Sequence, residues 1–167
     1  MNANPWIPSL VLFAGLLLAM VGCGPRTEIA QESAQQEPLA QGERAVKREE
    51  WVSEPLTVKG DLEIRVSAIL NSGPAVDMYV VTEAGFNRWN SIVSSGQATT
   101  ESEFETIPML GLEGLSASFT SEWAPLTPGT YYLVLDNSSF GGTAPPASTA
   151  DDIAVVNFTV ESRAPAK

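Results

Sequence analysis

The chain has 167 residues, enough for one domain with a real core. Nine basic and twenty acidic residues give a formal net charge of −11, which repels phosphate backbones and anionic headgroups and so excludes nucleic acid as a partner and a basic membrane-binding face. Histidine is absent, which excludes Ser-His-Asp and Cys-His catalysis and removes the commonest ligand of zinc, copper and iron.

The first element is the apolar run Leu10–Val21, LVLFAGLLLAMV. It is short of the roughly 20 residues a membrane-spanning helix needs, and it has the length of a signal-peptide core. Gly22 and the only cysteine, Cys23, follow it. The stretch Leu18-Ala19-Met20-Val21-Gly22-Cys23 resembles the lipobox of bacterial lipoproteins, with Met20 standing where that family usually carries Leu. No Lys or Arg precedes the apolar run. The resemblance implies cleavage after residue 22, lipid attachment to Cys23, and export to the cell envelope. Gly24 in place of an aspartate implies the outer membrane where the organism has one. The alternative is an uncleaved N-terminal anchor helix in which Cys23 is incidental. With Cys23 lipidated, no cysteine is left for an intrachain disulfide, so packing alone must hold the fold.

Residues 23–50 are rich in Gln, Glu and Ala and poor in large apolar side chains. Such a segment buries too little surface to offset chain entropy, so a flexible linker with a span on the order of 30 Å is expected. From Trp51 the period becomes two. Leu62, Ile64, Val66, Ala68 and Leu70 alternate with mostly polar residues, as in a half-buried strand. Asn71-Ser72-Gly73-Pro74 reads as a turn, and Val76–Thr82 (VDMYVVT) as a central strand. Ala84–Asn90 can form a helical turn. Leu115, Ala117, Phe119 and Trp123 lie at even spacing, Pro125–Gly129 is a turn, and Thr130–Leu135 (TYYLVL) is a second central strand. Ala154, Val156, Phe158 and Val160 share one face of the last strand, and weaker strands fall at Leu56–Lys59 and Phe104–Met109. About seven antiparallel strands and no long helix predict an all-β, jelly-roll-like β-sandwich over residues 51–162, with a short tail at 163–167.

Val76-Asp77-Met78-Tyr79-Val80-Val81-Thr82 with Phe86-Asn87-Arg88-Trp89, and Pro128-Gly129-Thr130-Tyr131-Tyr132 in the later strand, resemble bacterial pre-peptidase C-terminal and GOLD-like domains. The resemblance implies a sandwich with a binding or accessory role.

Four residues are the candidates for ligand contact. Trp89 lies beside a loop, where an exposed ring would stack on a sugar; burial in the core is the equal alternative. Asp136, Asn137 and Phe140 open the long segment 136–152, and loops of that length are often functional. Trp123 falls on the apolar parity and is expected in the core. Asp77, Asp136, Asp151 and Asp152 could gather round calcium, but no loop spacing supports this and solvated turns are the better reading. Glu101, Glu103 and Glu105 read as a solvated edge. The expected protein is non-enzymatic and free of cofactor and metal. It is joined to the membrane through its N-terminal lipid and binds an envelope protein, a glycan or a small ligand; the alternatives are a structural module assembled with a stable envelope partner and a hydrolase, for which no Ser-Lys or carboxylate-pair motif is visible.

Overall fold

The structure, a computed structural model, describes residues 37–95, 104–139 and 152–165. Nine strands are present among them: β1 Glu37–Lys47, β2 Trp51–Val58, β3 Leu62–Ser72, β4 Val76–Thr82, β5 Leu112–Leu115, β6 Ser118–Thr120, β7 Ala124–Leu126, β8 Gly129–Asp136 and β9 Ile153–Arg163. One helix, α1 Glu83–Ser95, and a 3-10 turn at Pro108–Leu110 lie between β4 and β5. One sheet runs β1-β9-β3-β6, with β7 also on β3; the other runs β2-β8-β4-β5. All pairs are antiparallel. The two sheets pack face to face as an all-β sandwich.

The order is that of a jelly roll. The chain pairs β1 with β9, β2 with β8, β3 with β6 and β4 with β5, as an antiparallel ribbon that closes at the β4–β5 end. Wrapping that ribbon brings β3 beside β9 and β4 beside β8, and these second pairings turn it into two sheets. The core lies between them, built on Leu56, Ile64, Val66, Met78, Leu115 and Leu133, all at 1% exposure or less.

β6 and β7 occupy one ribbon position interrupted at Ser121–Trp123. On β3, Ser67 opposes Thr120 and Ile64 opposes Ala124, so one extra residue is accommodated between them. Ser121 fills the gap. Its hydroxyl accepts the Val66 amide at 2.9 Å, and its own amide donates to the Val66 carbonyl at 2.9 Å. This is a β-bulge, and it reverses side-chain parity downstream.

Four expectations change, the first being the turn at Pro125–Gly129: Pro125 and Leu126 belong to β7 and Gly129 opens β8, which leaves Thr127-Pro128 between the strands. The linker expected over residues 23–50 gives way at Glu37 to β1, whose pairing with β9 runs from Glu37↔Ser162 to Lys47↔Ile153. Main-chain hydrogen bonds and a few inward contacts, from Leu39, Ala40 and Val46, hold this strand, so its polar composition concealed it. The helical turn expected at Ala84–Asn90 is a 13-residue helix. Thr82 starts it: its hydroxyl accepts the Gly85 amide at 3.0 Å, an N-terminal cap, and donates to the Glu105 carboxylate at 2.7 Å. The strand expected over Phe104–Met109 is reduced to a single bridge, Val81↔Thr106, before the 3-10 turn.

Candidate functional site

The outer faces of the two sheets differ. On the β2-β8-β4-β5 sheet, α1 covers an aromatic cluster. Phe86 stacks on Tyr132 with centroids 3.9 Å apart and planes 10° apart, and meets Trp51 edge-on at 5.7 Å. Trp89 lies against Phe104 at 4.4 Å and Tyr79 at 5.9 Å. Trp89 is 1% exposed, so it is a packing residue and not the stacking platform considered from sequence.

The outer face of the β1-β9-β3 sheet is uncovered by any described helix. It carries a shallow groove of about 500 Å³. Gly42, Phe158 and Ala68, level with one another on β1, β9 and β3, lie along its middle. Its sides are Gln41 and Glu43 on β1, Asn157 and Thr159 on β9, and Ser67 and Ile69 on β3. Ile69 is 53% exposed. Asn71 donates to Glu43 across one end at 3.3 Å. The other end is set by directly opposed ion pairs, Arg65–Glu161 at 2.6 Å and Arg163–Glu63 at 2.7 Å. Between those two guanidinium groups lies the ring of Trp123, 4.7 Å from Arg65 and 4.2 Å from Arg163. Trp123 is therefore half-buried on the outer face and not in the core, because the bulge at Ser121 reverses its parity. The groove offers amides, hydroxyls, one carboxylate and one aliphatic patch. That set suits a neutral, hydroxyl-rich ligand, which needs planar donors and acceptors beside some apolar contact.

At the end of the sandwich where β1 turns into β2 and β8 ends, polar groups are knotted together. Asn137 and the β1–β2 turn exchange main-chain bonds: Glu49 N–H to Asn137 O at 2.9 Å and Asn137 N–H to Glu50 O at 3.0 Å. The Asn137 side-chain amide donates to the carbonyls of Val46 and Asp152, both at 3.2 Å, so it ties β8 to β1 and to the approach to β9. Ser139 donates from its amide and hydroxyl to Glu49, at 3.3 and 3.0 Å. Asn137 is 1% exposed. It joins the two sheets and does not present itself to a ligand.

Asp136, also 1% exposed, stands directly across from Asp77, which is fully buried. Burial pushes the Asp136 carboxyl up to about 6, against an ordinary value of 3.8. Hydrogen bonds from Ser138 oppose the rise, and the charges of Asp77 and Glu49 add to it. Of the four aspartates considered together, Asp77 and Asp136 meet. Asp152 pairs with Arg48 at 3.7 Å, and Asp151 lies outside the described residues. Among the described residues no three His, Cys, Asp or Glu side chains group as a metal site. Cys23, Phe140, Glu101 and Glu103 also fall outside the described residues. Glu105 is exposed and serves the α1 cap.

Sequence reasoning missed the groove because three strands far apart in the chain form it. The signal that was present is the polar set of β3 and β9 residues opposite their core-facing neighbours. Comparison with protein-family models and with curated proteins finds no match to this chain.

Proposed function

We propose that this protein is a cell-envelope lipoprotein, attached to the membrane through lipid on Cys23, whose jelly-roll domain is a non-catalytic binding module. The observation that carries the binding reading is the groove over β1, β9 and β3. Among the described residues it is the uncovered polar face of its sheet, whereas the opposite outer face is filled by the molecule's own helix. Its Gln, Asn, Ser and Thr side chains favour a glycan over a charged ligand, and the −11 net charge disfavours anions. The tether reading rests on the Leu18–Cys23 stretch alone, and the likeness to pre-peptidase C-terminal and GOLD-like domains remains part of the same proposal.

Glycan-array binding by the domain spanning residues 36–167 tests the groove. Binding that is lost in Asn157→Ala and Gln41→Ala, with the thermal transition unchanged, supports it. Binding that survives both substitutions places the ligand elsewhere. The tether is tested by the intact mass of protein from native membranes. A chain beginning at Cys23 with acyl chains supports it, and the complete unmodified chain refutes it.

A further inference from the structure

We infer that the buried Asp136 carboxyl carries a proton where β8 faces Asp77 of β4, and that loss of this proton loosens the knot between the two sheets, so this end of the sandwich responds to pH. The two residues are direct cross-strand partners on β4 and β8, which places their β-carbons on one face about 5 Å apart. Both are withdrawn from water. One Asp77 oxygen accepts the Gly114 amide at 2.8 Å, and Asp136 Oδ1 accepts the Ser138 amide at 3.0 Å. Asp136 Oδ2 is buried and has no hydrogen-bond partner. A carboxylate oxygen in that position is costly, because it has left water and gained no donor. A proton on Oδ2 removes that cost and lessens the repulsion that the facing acidic groups impose.

The charged surroundings favour that proton. Asp77 faces Asp136 from β4, and Glu49 faces it from the β1–β2 turn. The cations of that turn are turned elsewhere: Lys47 to Glu50 at 3.7 Å, and Arg48 to Asp152 at 3.7 Å and Glu49 at 3.9 Å. With no third ligating side chain grouped here among the described residues, a proton fits the pair better than a divalent cation.

The direction of the response follows. A carboxyl raised in the folded state keeps its proton between about 4 and about 6, where the unfolded chain has already lost it. Stability is therefore greater at the acidic side of this window and falls as pH rises through it. Above it, the charged Asp136 repels Asp77 and Glu49, and Glu49 is the group to which Ser139 donates. The hydrogen bonds that ionisation loosens are thus those joining β8 to the β1–β2 turn.

The test is a carbon-detected NMR titration of the Asp136 carboxyl in the wild-type domain, with thermal melts between pH 4.5 and 7.5 in chelator. A midpoint near 6 that moves down in Asp77→Asn, and a melting temperature that falls with rising pH, are the expected results. Asp136→Asn should melt higher than wild type at pH 7 and lose the slope. An Asp136 midpoint below about 4.5 overturns the inference, and this reading on the wild-type chain stands even where a variant fails to fold. Calcium that raises the wild-type melting temperature at pH 7, and not that of Asp136→Asn, also overturns it, since the partner of the pair would then be a cation.

Discussion

The two outer faces of this sandwich are built from neighbouring ribbons of the same jelly roll, yet among the described residues one is sealed and the other is bare. On β4 and β8 the outward residues are Asp77, Tyr79 and Val81, and Tyr132, Val134 and Asp136; all but Tyr132 are buried, and Tyr79, Val81, Tyr132 and Val134 belong to the aromatic cluster under α1. On β3 and β9 they are Glu63, Arg65, Ser67 and Ile69, and Asn157, Thr159, Glu161 and Arg163, with no described helix above them. All four strands are central in their sheets. Central position therefore does not explain the continuous apolar run of β4; a covering helix does. An apolar outer face is evidence of a cover, and a polar outer face is one that solvent can wet.

The contrast breaks most completely at β1, which belongs to the bare sheet and has no cover to replace it. A chain beginning at Trp51 leaves β9 as an open edge and strips Val46, Leu39 and Ala40 from the core. Such an edge invites pairing with other chains. The expected outcome is loss of a cooperative melt, with aggregation, while a chain beginning at residue 36 melts in one transition. On the sealed side, Trp89→Ala removes the centre of the aromatic cluster and should cost about 3–5 kcal/mol in denaturant unfolding. Trp89→Phe should cost less than half as much, because the indole Nε1 has no hydrogen-bond partner to lose and much of the ring volume is kept.

These cases also mark what the sequence made legible. β3, β4, β8 and β9 are readable because each carries its own side-chain pattern: alternation where one face is wet, continuity where both are buried. β1 was not readable, since its place depends on the β9 backbone more than a hundred residues away and not on its own side chains. The parity of Trp123 failed for a local reason, the bulge at Ser121, whose hydroxyl substitutes for a ladder bond and which no period-two count can register. Trp89 was balanced between surface and core because an aromatic in a single turn of sequence does not declare what lies beneath it. Asp136 and Asn137 were singled out as the start of a loop. Asp136 proves to be the last residue of β8 and Asn137 the first beyond it, both buried, where one carboxylate oxygen lacks a donor and one amide ties β8 to β1.

A smaller effect tests how closely the cover is fitted. A β-carbon built on Gly85 falls 1.9 Å from the Phe104 carbonyl oxygen, so the start of α1 touches the returning backbone directly. Gly85→Ala must push these segments apart, at roughly 1–3 kcal/mol. Exchange of the amides near Phe104 should rise, while those of β3 and β9 stay protected.

The smallest effect belongs to the bare face, and it measures whether that face contributes to stability or only to recognition. Arg65 lies directly opposite Glu161 and bonds it through Nε and Nη2, at 2.9 and 2.6 Å, while its guanidinium also lies over Trp123. The side chains are about one-quarter exposed, at 29% and 25%, so solvent screening reduces the pair's worth. A double-mutant cycle of Arg65→Ala and Glu161→Ala should give a coupling of about 0.5–1 kcal/mol, reduced at high salt. The single Arg65→Ala variant should lose somewhat more than that coupling, because the arginine also gives up its contact with the Trp123 ring. A coupling near zero would mean that the ion pairs orient side chains at the groove's end without holding the sheet together. A coupling above 2 kcal/mol would place the bare face on the same footing as the sealed one and erase the contrast between them.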